Sequence, residues 1–147
     1  MKRVRDVIAE KSLQYLVTID PSATVTEAAK LMAEWNVGAL LVMEKGQLVG
    51  LLSERDYVRG IACAGRHPES ASVKEIMTRN VRMVGEELTT EECMSLMTHF
   101  RTRHLPVVSA REVVGVISIG DLVKDVVSEK AFIIEELERY IARVPFA

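Results

Sequence analysis

The chain has 147 residues, 48% of them hydrophobic and 27% charged, with a formal net charge of −2. This is the composition of one globular domain, or of two small halves sharing a core, and it lacks the basic footprint of a nucleic-acid binder. The longest near-continuous apolar run, Val37 to Met43, is far too short to cross a membrane, and no signal-like apolar core follows the first residues, so a cytoplasmic setting is expected.

Residues 1–19 carry Val4, Val7, Ile8, Leu13, Leu16, Val17 and Ile19, which read as a short helix near 4–10 and an extended arm reaching Thr18 and Ile19. Thr24-Val25-Thr26-Glu27 has the spacing of a capping box, in which hydroxyl and carboxylate satisfy the first free backbone N–H groups of a helix. Val25, Ala28, Ala29, Met32 and Trp35 then follow at helical spacing. A short apolar strand, Ala39–Met43, a tight turn at Glu44-Lys45-Gly46-Gln47 and a returning strand, Leu48–Leu52, come next. Ser53 stands at an N-cap position and opens a helix over about 54–62.

The same order then recurs. Val73 to Met77 takes the helical part and Val81 to Val84 the arm; Thr89-Thr90-Glu91-Glu92 repeats the capping box, and Cys93, Leu96, Met97 and Phe100 the helical stripe. Strands at Leu105–Val108 and Val113–Ile117 flank a turn at Ser109-Ala110-Arg111-Glu112, and Ser118 opens a helix over about 119–130. From Thr24/Thr89 to Val58/Val123 the two copies align without a gap at an offset of 65 residues, with 11 identities in 35 pairs. Unrelated segments of average composition would share about two. Gly50-Leu51-Leu52-Ser53-Glu54-Arg55-Asp56 thus matches Gly115-Val116-Ile117-Ser118-Ile119-Gly120-Asp121.

A small sheet with one apolar face cannot bury itself alone, whereas two copies can, by packing sheet to sheet about a pseudo-two-fold axis. The expected fold is therefore α+β, sandwich-like, with repeat 1 over residues 1–64, a polar, turn-rich linker over 65–72 and repeat 2 over 73–130. A C-terminal amphipathic helix occupies 131–147, with Phe132, Ile133, Leu137, Tyr140 and Ile141 on one stripe that either folds back on the core or forms a dimer contact. Glu135, Glu136 and Glu138 read as a solvated helix face. Cys63 and Cys93 make no disulfide framework, Cys93 lying on an apolar helix face. Beyond a lone Cys63-x-x-x-His67, the histidines and cysteines lack metal-ligand spacing; no metal, no catalytic cofactor and no nucleophile motif is expected.

Two Gly-h-h-Ser-x-x-Asp closures, with Arg103-His104-Leu105-Pro106-Val107-Val108 before the second hairpin, resemble a tandem CBS-domain pair, or Bateman module, of the small stand-alone bacterial type assigned to signal transduction. The resemblance runs from about Val4 to about Val127. It implies a regulatory module, most often a homodimer acting on an effector protein, that binds AMP, ADP, ATP, NAD or S-adenosylmethionine in clefts between the halves. An enzyme is not expected: CBS pairs accompany catalytic domains such as IMP dehydrogenase, but no such barrel fits this length.

A nucleotide needs acceptors for its ribose diol and donors for its phosphates. Asp56 and Asp121, one turn into their helices, are short acceptors suited to the diol; the helix starts with Ser53 and Ser118 suit phosphate. The same Ser-x-x-Asp is also simply a helix cap. Asn36-Val37-Gly38-Ala39 in repeat 1 corresponds to Arg101-Thr102-Arg103-His104 in repeat 2, and Arg55 to Gly120, so the stronger polyphosphate site is expected near Asp56 and Arg103. The family resemblance carries phosphate contact to Arg103 and His104, with Arg101 beside them. It places the base slots on Thr18 and Ile19 with Gly38 and Ala39 in one half, and on Met83 and Val84 with Pro106 and Ile117 in the other. An NAD(H)-binding redox sensor and a structural dimerisation module with degenerate sites are the competing readings.

Overall fold

Thr24 Oγ1 accepts the Glu27 backbone N–H at 3.1 Å while the Glu27 carboxylate accepts that of Thr24 at 3.0 Å; Thr89 and Glu92 repeat the exchange at 3.2 and 2.9 Å. These reciprocal caps start α2 (Val25–Trp35) and α5 (Thr90–Phe100) where the spacing predicts. Both helices stop at a left-handed residue, Asn36 (φ +51°) and Arg101 (φ +53°), so each chain copy turns into its strand by the same device.

The computed structural model describes residues 2–11 and 16–143. Its remaining helices are α1 (Val4–Glu10), α3 (Glu54–Tyr57), α4 (Val73–Ile76) and α6 (Ile119–Arg143). The strands are β1 (Thr18–Ile19), β2 (Ala39–Glu44), β3 (Gln47–Ser53), β4 (Val84–Gly85), β5 (His104–Ser109) and β6 (Glu112–Ser118). They form two three-stranded sheets, β1-β2-β3 and β4-β5-β6, each with a parallel first pair and an antiparallel second pair. The repeat extends to the register break, between Val42 and Met43 in one sheet and Val107 and Val108 in the other. Both hairpins turn on two positive-φ residues, Lys45-Gly46 and Ala110-Arg111, the geometry that matches strand twist.

Strands β2 and β3 are buried on both faces. Leu40, Val42 and Leu52 face the helices, and Ala39, Leu41 and Leu51 pack with Val113 and Val116 of the other sheet. The sheet-to-sheet, mixed α+β architecture is the one expected from the repeat.

The packing units cross the sequence boundaries of the two repeats. Val73 and Ile76 of α4 are buried with Val25, Met32 and Leu52 in the first core, whereas Val4 and Val7 of α1 are buried with Val84, Cys93 and Leu122 in the second. Each short helix therefore completes the other repeat's core. Gly50 makes this crossing possible, because a Cβ there would lie 2.5 Å from Met77 Sδ and 3.0 Å from the Thr78 carbonyl. The polar stretch 65–72 is likewise more than a connection: the Ala71 and Pro68 carbonyls accept the first two N–H groups of α2 at 3.0 and 3.1 Å.

Two helix boundaries differ from expectation. The helix expected over 54–62 is α-helical only to Tyr57 and continues as a π-helical turn, Val58–Ala62, where Gly60 passes against Ile76. The break expected at residue 131 does not exist. α6 runs on to Arg143, since Ser128-Glu129-Lys130-Ala131 contains no glycine or proline to stop it. Its stripe of Phe132, Ile133, Leu137, Tyr140 and Ile141 is exposed and does not fold back on the core. The end of the tail, 144–147, and the part of the arm at 12–15 lie outside the described residues. Among the described residues no helix is long and apolar enough to cross a membrane.

Candidate functional site

Each repeat ends its second long strand in a serine and begins a helix there. Ser53 Oγ accepts the Asp56 N–H at 3.3 Å, and Asp56 Oδ2 accepts the Ser53 N–H at 2.9 Å; Ser118 and Asp121 do the same at 3.1 and 2.8 Å. The helices are docked by a matching pair of bonds across the sheet edge, Glu54 N–H to the Gly38 carbonyl at 3.1 Å and Ile119 N–H to the Arg103 carbonyl at 2.8 Å. This fixes each aspartate beside the loop that precedes its own repeat's first long strand. Because the sheets pack face to face, it also sets each aspartate opposite the other repeat.

Two clefts result, which adjoin at Gly38 and His104. The first, about 430 Å³, is lined by Ser53, Glu54, Arg55, Asp56 and Arg59 of repeat 1 and by Thr78, Asn80, Val81, Arg82 and the loop Phe100 to His104 of repeat 2. The remaining Asp56 oxygen, Oδ1, accepts the Thr78 hydroxyl at 3.1 Å, and the Arg55 guanidinium donates to the Arg101 carbonyl at 2.9 Å. Both bonds join one repeat to the other. Five arginines (Arg55, Arg59, Arg82, Arg101 and Arg103) stand around two carboxylates here, a strongly anion-attracting field. Arg82 lies over the Phe100 ring at 4.2 Å.

The second cleft, about 590 Å³, is lined by Ser118, Asp121, Val114, Gly115 and Val116 of repeat 2 against Ile8, Lys11, Val17 and the stretch Trp35 to Ala39. Here Lys11 Nζ lies 2.9 Å from Asp121 Oδ2 and donates to the Val116 carbonyl at 2.8 Å. Burial pulls the Asp121 carboxyl upward, but the Ser118 N–H and the Lys11 ammonium outweigh it and hold the group below the ordinary aspartate value.

Gly38 and His104 line both clefts. A Cβ on Gly38 would lie 2.7 Å from Glu54 Oε1 and 3.3 Å from His104 Nε2, so the glycine leaves room for the carboxylate and the imidazole at this saddle. Burial pushes the His104 imidazole below its ordinary value, ahead of an opposing effect from Glu54. The unfolded chain then takes up a proton near pH 6.5 that the folded chain takes up only at lower pH, so this share of stability is complete above pH 6.5 and is lost as pH falls. His104→Ala, which copies Ala39, is expected to lose less stability than the parent between pH 7.5 and pH 5.5. Denaturant midpoints at the two pH values measure it, and equal losses would contradict the assignment.

Of the residues singled out from sequence, Gly38, Ser53, Arg55, Asp56, Arg101, Arg103 and His104 come together in the first cleft, and Gly38, Ala39, His104, Ser118 and Asp121 in the second. Thr18, Ile19, Met83, Val84, Pro106 and Ile117 line neither. Val84 and Ile117 are buried in the second core, on the sheet face turned toward the helices. The arms do line the clefts, one step earlier in the chain, at Val17 and Arg82. Residues without a motif are the ones sequence reasoning missed: Lys11, Thr78, Arg59 and Arg82. Trp35 and Phe100, read as core positions, are exposed at the last turns of their helices and face the clefts. Their offset of 65 residues was the available signal. Among the described residues no cluster of three or more metal-ligating side chains occurs.

This chain belongs to the CBS-domain family, matched over residues 4–62 and 73–128. It is 41% identical over 123 residues to the mitochondrial CBS domain-containing protein CBSX3 of Arabidopsis thaliana, covering 80% of this chain and 60% of that protein's length. Among solved structures, a candidate signal-transduction protein with CBS domains from Burkholderia ambifaria superposes with a TM-score of 0.84 at 42% identity, covering 86% of this chain and 95% of that one. The CBS domain pair of protein MJ0100, solved with 5′-methylthioadenosine and S-adenosyl-L-methionine, superposes with a TM-score of 0.76 at 25% identity over 87% and 98% of the two chains. The coarse function follows from membership: a CBS pair is a regulatory module.

Proposed function

We propose that this module senses adenosine-containing ligands, with Asp56 and Asp121 accepting the ribose hydroxyls in the two clefts. In the first cleft the phosphates of AMP, ADP or ATP lie against Arg103, Arg101 and Arg55. The observation that carries this reading is that each aspartate stands in a cleft walled by both repeats, one of them ringed by five arginines. The adenosine ligands of the MJ0100 pair support the ligand class. A ligand spanning both walls binds one arrangement of the repeats better than another, and that difference is what a partner protein reads. The Arg55 to Arg101 and Thr78 to Asp56 bonds are the contacts such a ligand would tighten or replace.

Thermal-shift titration with AMP, ADP, ATP, NAD, NADH and S-adenosylmethionine tests the proposal, since a ligand that binds only the folded chain raises its stability. At least one adenine nucleotide is expected to raise the midpoint; a flat response to all six would favour a structural module. A larger rise with NAD or NADH than with ATP would favour the redox reading, which uses the same carboxylates and arginines. Arg103→Ala is expected to weaken ATP about tenfold and adenosine little, because an exposed guanidinium contributes through charge. Equal losses, read by calorimetry, would mean that Arg103 does not meet phosphate.

Self-association through α6 is part of the same proposal. Phe132, Ile133, Leu137, Tyr140 and Ile141 are each about half exposed or more on a helix that projects past the sheets. A chain ending at residue 130 is expected to lose a dimer that the full chain forms, as read by light scattering.

A further inference from the structure

The two clefts obtain their positive charge from different places. Around Asp56 it comes from Arg101 and Arg103, in the loop after α5, and from Arg55 beside the aspartate. The equivalent positions around Asp121 are Asn36, Gly38 and Gly120, all neutral. Among the described residues, the only Lys or Arg lining the second cleft is Lys11, at the end of α1, with its ammonium 2.9 Å from Asp121 Oδ2. Much of the remaining wall is apolar, including Val17, Trp35, Val37 and Val116.

We propose that Lys11 is the anion-recognising residue of the Asp121 cleft, which takes an adenosine ligand carrying a single anionic group, a nucleoside monophosphate, and leaves ligands with more phosphates to the Asp56 cleft. This rests on the reading that the clefts bind adenosine compounds. An ammonium has three N–H donors. Among the described residues, Asp121 and the Val116 carbonyl take two of them, which leaves one for a ligand oxyanion. Lys11 is held against the carboxylate that meets the ribose, so diol and anionic group would be gripped from adjacent points. A second or third phosphate would find Asn36, Gly38 and Gly120 where the first cleft has guanidinium groups, and would add repulsion from Asp121 itself.

The chain contains one tryptophan, Trp35, which lines this cleft and not the other, so its fluorescence reports most directly on filling of the Asp121 site. The experiment titrates the full chain with adenosine, AMP, ADP and ATP while following Trp35. AMP is expected to bind at least about tenfold more tightly than adenosine, and more tightly than ADP or ATP, the size of one charge-assisted contact. Lys11→Met keeps the aliphatic stem and is expected to erase the advantage of AMP while adenosine still binds. Asn36→Arg copies Arg101, which holds the same left-handed backbone (φ +53° against +51°), and is expected to bring ADP level with AMP or above it. ATP binding as tightly as AMP in the parent chain, or an AMP advantage that survives Lys11→Met, would overturn the assignment. An equal response to adenosine and to all three nucleotides would overturn it while leaving the functional reading intact. Silence of Trp35 toward all four would overturn both for this cleft.

Discussion

Asp56→Ala is expected to remove one of the two proposed ligand sites, at a cost of about a hundredfold or more in that site's affinity for an adenine nucleotide. The carboxylate is half-buried, with Oδ2 accepting the Ser53 N–H and Oδ1 the Thr78 hydroxyl, so its position is set before any ligand arrives. A ribose diol donating to it would form two charge-assisted hydrogen bonds, each worth about 1.5–3 kcal/mol. Truncation also removes a helix cap, which costs about 1 kcal/mol of stability. These two losses separate the roles that the motif leaves open. If Asp56 only caps α3, Asp56→Ala lowers the melting temperature while calorimetric stoichiometry and affinity stay as in the parent chain. If it holds ribose, the first-cleft isotherm disappears and the Asp121 site remains. Asp121→Ala is expected to do the converse.

Leu52→Ala is expected to destabilise the folded chain by about 2–5 kcal/mol, the range for emptying a fully buried leucine site. Leu52 has no exposed surface and packs among Val25, Ile61, Val73 and Ile76, so the cavity opens where three elements of the first core and the crossed-over α4 meet. The adjacent residue is Ser53, which caps the helix carrying Asp56. Loss of packing at Leu52 therefore also loosens the aspartate, and ligand affinity is expected to fall with stability. A chemical denaturation curve measures the first effect. A shift under about 1 kcal/mol would mean that this core does not hold the repeat together.

Local chemistry was legible in the sequence, and long-range placement much less so. The capping boxes at Thr24 and Thr89, the strand pairs, the serine starts of the helices and the burial of Cys93 all follow from rules acting within a few residues, and all occur. The exchange of α1 and α4 does not follow from such rules. Val4 with Val7 and Val73 with Ile76 present the same small apolar face, and nothing in either pattern says which core will receive it. Of the base-slot residues expected from the family resemblance, Gly38 and Ala39 line a cleft, whereas Thr18, Ile19 and Val84 lie on the short paired strands of the arms. The arms reach the clefts just before those strands, at Val17 and Arg82. Trp35 and Phe100 keep helical spacing yet sit in the last turn, past the sheet that would have covered them. Lys11 and Thr78 became visible only once the crossed arms brought them to Asp121 and Asp56.

The asymmetry between the clefts bears on how such a module would report. One cleft is arginine-rich and joined across the repeats by Arg55; in the other, Lys11 pairs with Asp121. Filling them would act on different contacts of one interface, and His104 touches both. Binding in one cleft would be coupled to the other through that shared wall, and the coupling must be reciprocal.

A structure determined with ATP present tests the central proposition most directly. The ribose hydroxyls should lie within hydrogen-bond distance of the Asp56 carboxylate, with the phosphates among Arg103, Arg101 and Arg55. ATP bound elsewhere, with the space between Asp56 and the Phe100 to His104 loop left to solvent, would contradict it.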